Sequence, residues 1–246
     1  MAMFVLVHGA FHGGWCWREV AARLRAAGHE VFAPTLTGLG ERSHLAAPAV
    51  SLSTHIQDVA QAIEWEGLRD VVLVGHSYGG MVITGVADRL ADRLAAVVYL
   101  DALLPENGQS ALDLQTPERR ESILEEVAAN GGWLWPPRTA AFYGVRDPAK
   151  QAWVDGKCTP QPFLTLFERL GIDGPPAGKV ARRLYILCTD PPLPYMRRFY
   201  DMAAAADGWR VMELATGHDA MVTEPEALAQ LLSNWTEARS EATSGE

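Results

Sequence analysis

Short, nearly continuous apolar runs alternate with amphipathic stretches along most of this chain. The runs fall at residues 4–7, 30–33, 71–74, 96–100, 184–188 and 209–213. Between them, helical spacing predicts helices over 15–27, 53–66, 80–90, 196–206 and 227–237. Gly28 suits the end of the first helix and Ser53 can cap the second. Strands apolar along their whole length, each followed by a helix, predict an α/β fold whose mostly parallel sheet is covered on both faces.

One region breaks the rhythm. Residues 105–178 show no clear strand, and they carry nine prolines, Pro117 and Pro136 among them. They also hold Trp133, Trp135, Phe142, Tyr143, Trp153, Phe163 and Phe167. This composition predicts a helical cap inserted into a core made of 1–104 and 179–238. Most of these aromatics are expected to pack the cap itself. Trp135 is the one chosen as a substrate contact. The small and polar residues at 239–246 are expected to form a frayed tail.

Candidate chemistry centres on Gly75-His76-Ser77-Tyr78-Gly79. The five residues follow the apolar run at 71–74 and lead into a helix pattern. A strand, a glycine-flanked turn and a helix are what a nucleophile elbow requires. The turn forces strained backbone angles on the serine, and flanking glycines remove the Cβ atoms that would clash. Gly-x-Ser-x-Gly alone is a weak signal, so its flanks carry the weight.

A serine hydroxyl needs a base within reach and an acid to orient that base. After such an elbow, acid and base follow in that order along the chain. His218 is the one histidine beyond the last strand run, in Thr216-Gly217-His218-Asp219. The acid is expected at Asp190, directly after the run at 184–188. Asp101, which ends the run at 96–100, is the rival. Asp219 is set aside, because a neighbour of the base cannot readily bend back to its ring. The oxyanion needs two fixed N–H donors. They are expected from Tyr78, after the nucleophile, and from Ala10 in the loop His8-Gly9-Ala10-Phe11-His12-Gly13-Gly14, with Phe11 as second choice. Phe11 and His12 are also placed at the substrate pocket. His8 is read as a brace for the loop.

Charge and composition remove several other functions. A formal net charge of -9 argues against a nucleic-acid partner. Cys16, Cys158 and Cys188 are too scattered for a disulfide framework or a zinc cluster, and His8 with His12 makes no metal set. The glycine-rich loop lacks the dinucleotide spacing. No membrane span or basic leader pattern is present, so a cytoplasmic protein without metal or cofactor is expected. A homodimer is left open.

With these residues in view, the chain resembles the α/β-hydrolases. More narrowly it resembles their esterase and hydroxynitrile lyase group, which includes plant methylesterases. The resemblance rests on Leu6 to Trp17, Val74 to Gly80, Ile186 to Asp190 and Gly217 to Met221. It implies a Ser77–His218–Asp190 triad, no cofactor, and a helical cap over a hydrophobic pocket. The cyanogenic lyases carry threonine and lysine where this chain has Gly9 and Asp219, and a carboxylate beside the site should repel cyanide. The expected activity is therefore hydrolysis of a small hydrophobic carboxylic ester, with an apolar or aromatic acyl part, through an acyl-enzyme. Lactonase, thioesterase or cyclase chemistry, or ligand binding without turnover, are the alternatives.

Overall fold

A computed structural model describes residues 1–243, with side chains as far as Glu237. Of the expected frayed tail at 239–246, residues 239–243 continue the last helix, and 244–246 lie outside the described residues. A six-stranded parallel sheet runs in the order β2-β1-β3-β4-β7-β8. Its strands are β1 (Met3–Val7), β2 (Glu30–Phe32), β3 (Val71–His76), β4 (Leu94–Leu100), β7 (Arg183–Cys188) and β8 (Trp209–Leu214).

Strand side chains alternate between two cores, as a period of two demands. Val5, Val7, Val71, Leu73, Val97 and Tyr99 face one core. Phe4, Leu6, Val72, Val74, Ala96 and Val98 face the other. The first core is covered by α2 (Leu52–Trp65) and α3 (Gly79–Arg89), the second by α1 (Arg18–Ala26) and α9 (Pro225–Thr243). Burial on both faces explains why these strands read as unbroken apolar runs.

Local signals account for the helix ends. Gly28, at φ 83°, follows the capping residue Ala27 of α1 in the left-handed conformation that glycine adopts most cheaply. The second helix starts earlier than expected. Ser51, not Ser53, is its cap, because Ser51 and Thr54 exchange side-chain and backbone hydrogen bonds as a capping box. Ser53 instead hydrogen-bonds Glu168 through both its N–H and its hydroxyl.

Between β4 and β7 the chain forms α4 (Pro117–Ala129), α5 (Pro148–Asp155) and α6 (Leu164–Phe167). It also forms a strand pair missed by the sequence reading: β5 (Leu134–Trp135) lies antiparallel to β6 (Gln161–Pro162). Two-residue strands are too short to show any alternation. After β7 come α7 (Arg197–Ala205) and, past β8, the single turn α8 (Ala220–Thr223). Among the described residues, no helix is long and apolar enough to cross a membrane.

Candidate active site

The central strand β3 ends at His76, and Ser77 follows at φ 54°. Non-glycine residues rarely hold this left-handed conformation without support from their surroundings. Support comes from three backbone hydrogen bonds. Ser77 N–H donates to Leu100 O at 3.2 Å, and Ser77 O accepts from Gly80 at 3.0 Å and Leu103 at 3.0 Å. The glycines are required by close approach. A Cβ on Gly80 would sit 2.0 Å from Leu103 O, and one on Gly79 would meet His8 O and Val7 O at 2.9 Å. Within the pentapeptide only Ser77 is partly exposed, its neighbours being buried.

His218 lies in the loop after β8 and is 2% exposed. Its Nδ1–H donates to Asp101 Oδ2 at 2.6 Å. The other oxygen of Asp101 accepts the Cys188 N–H at 3.1 Å. A buried carboxylate is tolerable only when its lone pairs are met, and here both oxygens have partners. His76 joins this group to the elbow. Its Nε2–H donates to His218 O at 3.0 Å, and the two rings lie 4.5 Å apart.

The expected acid, Asp190, is therefore corrected. Its side chain is 58% exposed and forms a two-pronged pair with Arg146, at 2.7 and 3.3 Å. That guanidinium holds the Asp190 carboxyl below the usual carboxylate range. The sheet order gives the reason. Strand β4 adjoins β3 directly, with His76 opposite Leu100, so the next residue of β4 lies beside the nucleophile. Strand β7 is one position further out, and beyond it Asp190 N–H is tied to Thr216 O at 2.9 Å.

His12 is corrected as a pocket residue. It is 2% exposed and is not among the residues lining the pocket at Ser77. Its Nδ1–H donates to Ala10 O at 2.8 Å, and its Nε2–H donates to Asp219 Oδ2 at 3.3 Å. Carbonyl and carboxylate can only accept, so this geometry favours protons on both ring nitrogens, the imidazolium form. Burial opposes that charge, but the Asp219 charge and hydrogen bond overcome it and raise the His12 pKa above its ordinary value. Asp219 is likewise not among the pocket-lining residues, and its charge faces His12. The expected repulsion of an anion by Asp219 is offset by this cation. Sequence reasoning missed the pairing because the partners are 207 positions apart.

Three further buried histidines, His8, His55 and His76, are neutral braces. His8 donates to Gly9 O and accepts from Leu36 N–H, and burial lowers its pKa to about 3. His55 bridges Thr37 O and the Tyr78 hydroxyl, and burial lowers its pKa to about 4. Burial, reinforced by His218 and His12, puts His76 well below the ordinary histidine value. His76, His218 and Asp219 offer three ligand-type atoms within 4.8 Å of one another. Hydrogen bonds commit His76 Nε2 to His218 O and His218 Nδ1 to Asp101, while His76 Nδ1 and Asp219 Oδ1 bond to no described residue.

The pocket at Ser77 encloses about 530 Å³ of empty space, part of it open to solvent. Ala10, Phe11 and Tyr78 line it from below, and Leu112, Ile123, Trp135 and Tyr143 line it from the segment between β4 and β7. Trp133, Phe142, Trp153, Phe163 and Phe167 are not among the lining residues. Phe11 is held at φ 68° by Gln161, whose Oε1 accepts its N–H at 3.2 Å. That N–H is thus spent. The N–H groups of Ala10 and Tyr78 donate to no described residue, and both residues border the pocket.

Known proteins resemble this chain over nearly its whole length. The model of the alpha/beta hydrolase family matches residues 4–231. A carbendazim hydrolyzing esterase of Nocardioides sp. (strain SG-4G) is 46% identical, over 94% of this chain and 98% of its own. A probable esterase of rice, PIR7A of Oryza sativa, is 38% identical over 93% of this chain and 94% of its own. A solved extracellular alpha/beta-hydrolase from a Paenibacillus species superposes with a TM-score of 0.83 at 27% identity, covering 95% of this chain and 98% of its own. With its elbow, its sheet order and these similarities, the chain belongs to the alpha/beta hydrolase family.

Proposed function

We propose that Ser77, His218 and Asp101 form a nucleophile–base–acid set for hydrolysis of a carboxylic ester. The chain is a carboxylic ester hydrolase, in keeping with its esterase relatives at 46% and 38% identity. The observation that carries the residue roles is the 2.6 Å bond from His218 Nδ1 to Asp101, which turns the other ring nitrogen away from the acid. Asp101 holds the ring in one tautomer and stabilises the imidazolium that forms.

Ser77 Oγ attacks the ester carbonyl while His218 Nε2 takes its proton. The carbonyl π pair moves onto oxygen, and the Ala10 and Tyr78 N–H groups hold that oxyanion. Collapse breaks the bond to the alkoxy group, which receives the proton from His218. An acyl-enzyme remains. Water then attacks it, again with His218 as base, and releases the acid and free Ser77. The acyl part is apolar or aromatic, as the walls Phe11, Leu112, Ile123, Trp135 and Leu166 require. Carbendazim, for which the bacterial relative is named, is the first compound to assay.

Ser77→Ala tests the reading on a panel of p-nitrophenyl esters. The expected result is a loss of about 10³-fold or more in kcat, the scale set by removing a triad member. Turnover near the wild-type value would sink the assignment.

A further inference from the structure

The pocket beside Ser77 is not apolar throughout. Arg119, on α4, is the one fully charged side chain among its lining residues. Its charge is not cancelled locally. Glu126 lies 3.8 Å from Arg119 Nη1. That carboxylate already accepts from the Ser122 hydroxyl, the Trp135 indole N–H and the Arg138 guanidinium. Two guanidinium groups share one carboxylate, which leaves a net positive charge. The other contact of Arg119 is the Trp135 ring, 5.4 Å from Cζ to centroid, itself a pocket wall. The side chain is only 20% exposed, so bulk water does not fully screen it.

Two phenols stand with it. Tyr143 and Tyr195 line the same pocket, and their hydroxyls bond to no described residue. Burial pushes the Tyr195 pKa up to about 12 and raises that of Tyr143 well above its ordinary value. Both stay protonated as donors, and the field of Arg119 reaches both. The Tyr143 ring also lies 5.4 Å from that of His218, so this cluster adjoins the base. A purely hydrocarbon acyl group would leave two hydroxyl donors unpaired and the shared charge of Arg119 only partly compensated in a half-buried site, which costs free energy.

We propose that the acyl part of the substrate carries, beyond its apolar body, a negatively charged oxygen group. Arg119 binds that group, with the Tyr143 and Tyr195 hydroxyls as additional donors. The assignment rests on the ester-hydrolase reading and adds a substrate class to it. Charge-assisted hydrogen bonds to a carboxylate are the strong kind, and a site built for one rejects an analogue lacking it.

The test compares ethyl hexanoate with monoethyl adipate, two six-carbon acyl chains that differ by a terminal carboxylate. The wild type is expected to favour monoethyl adipate in kcat/KM. R119Q should lower that value about tenfold or more, chiefly through KM, and leave ethyl hexanoate within about twofold. R119K should recover part of the loss. Y195F removes one hydroxyl with little change of shape and should lower the adipate value alone, which decides the matter should R119Q fail to fold. Equal losses on both esters, or a wild type that treats both alike, would overturn the subsite while leaving ester hydrolysis standing. No turnover of either ester by the wild type would overturn both.

Discussion

Two buried acid–histidine pairs lie within one site, and they are built to different ends. In the pair His218–Asp101, at 2.6 Å, one ring nitrogen is committed and the other is turned away from the acid. In the pair His12–Asp219, at 3.3 Å, both ring nitrogens are committed, one to Asp219 and one to the Ala10 carbonyl. A base must have a free nitrogen to accept a proton, and in this second pair none is left. The second pair therefore ties the loop after β1, where Ala10 presents its N–H, to the loop that carries His218. What separates the proposed base from His12 is not burial or the presence of an acid but the number of ring nitrogens already spent.

The largest effect should come from the first pair. Asp101→Asn keeps the shape but favours the wrong tautomer of His218. It is expected to lower kcat about 10⁴-fold on a p-nitrophenyl ester. Asp190→Asn should leave kcat unchanged, since Asp190 sits on the surface with Arg146. A matching loss in both variants, or a greater one in Asp190→Asn, would reverse the assignment of the acid.

The second pair should show itself in stability more than in turnover. Asp219→Asn removes a buried counter-charge and is expected to cost about 3–5 kcal/mol near pH 6, read from urea unfolding. The pH dependence has a definite sign. The His12 pKa is raised in the fold, so its contribution is fully present below its unfolded value of 6.5 and lost as pH rises through the higher folded value. The gap in unfolding free energy between wild type and Asp219→Asn should narrow toward alkaline pH. The other groups facing Asp219, His76 above all, are buried neutral and add little to this window. A gap constant from pH 5 to pH 9 would remove the charge from the account of this pair.

A smaller effect should follow from Gln161→Leu. Gln161 is fully buried and its Oε1 holds the Phe11 N–H beside the Ala10 donor. Its loss strands a buried donor and should cost about 1–3 kcal/mol, again by urea unfolding, with a moderate fall in kcat as the loop loosens. The smallest is at Arg146→Gln, where the exposed pair with Asp190 is broken. Neither the thermal midpoint nor kcat should change measurably.

The parts of the site written into contiguous residues were legible in the chain. Gly75, Ser77, Gly79 and Gly80 follow an apolar strand run and precede a helix pattern, the context a nucleophile elbow requires. His218 was legible because it alone among the histidines follows the last strand. Ala10 and Tyr78, the proposed donors, were chosen from chain position relative to the strand and the serine, and both border the pocket. The choice between Asp101 and Asp190 was not legible. Both are carboxylates at the end of a buried strand, and nothing local says which strand lies beside β3. Neither was the role of His12, since Asp219 looked like a neighbour of the base and not like the partner of a loop at the other end of the chain. The unsatisfied donors around Arg119 were hidden for the same reason: Arg119, Tyr143 and Tyr195 come from three separate stretches.

The sequence by itself determined the α/β architecture and the elbow, and it singled out Ser77 and His218 as the candidates for nucleophile and base, because each depends on periodicity or on steric demands within a few residues. Only the tertiary structure decided the acid, the brace and the polar end of the pocket. Those depend on which strand ends and loops become neighbours, and on which hydrogen-bonding atoms are already spent once they do.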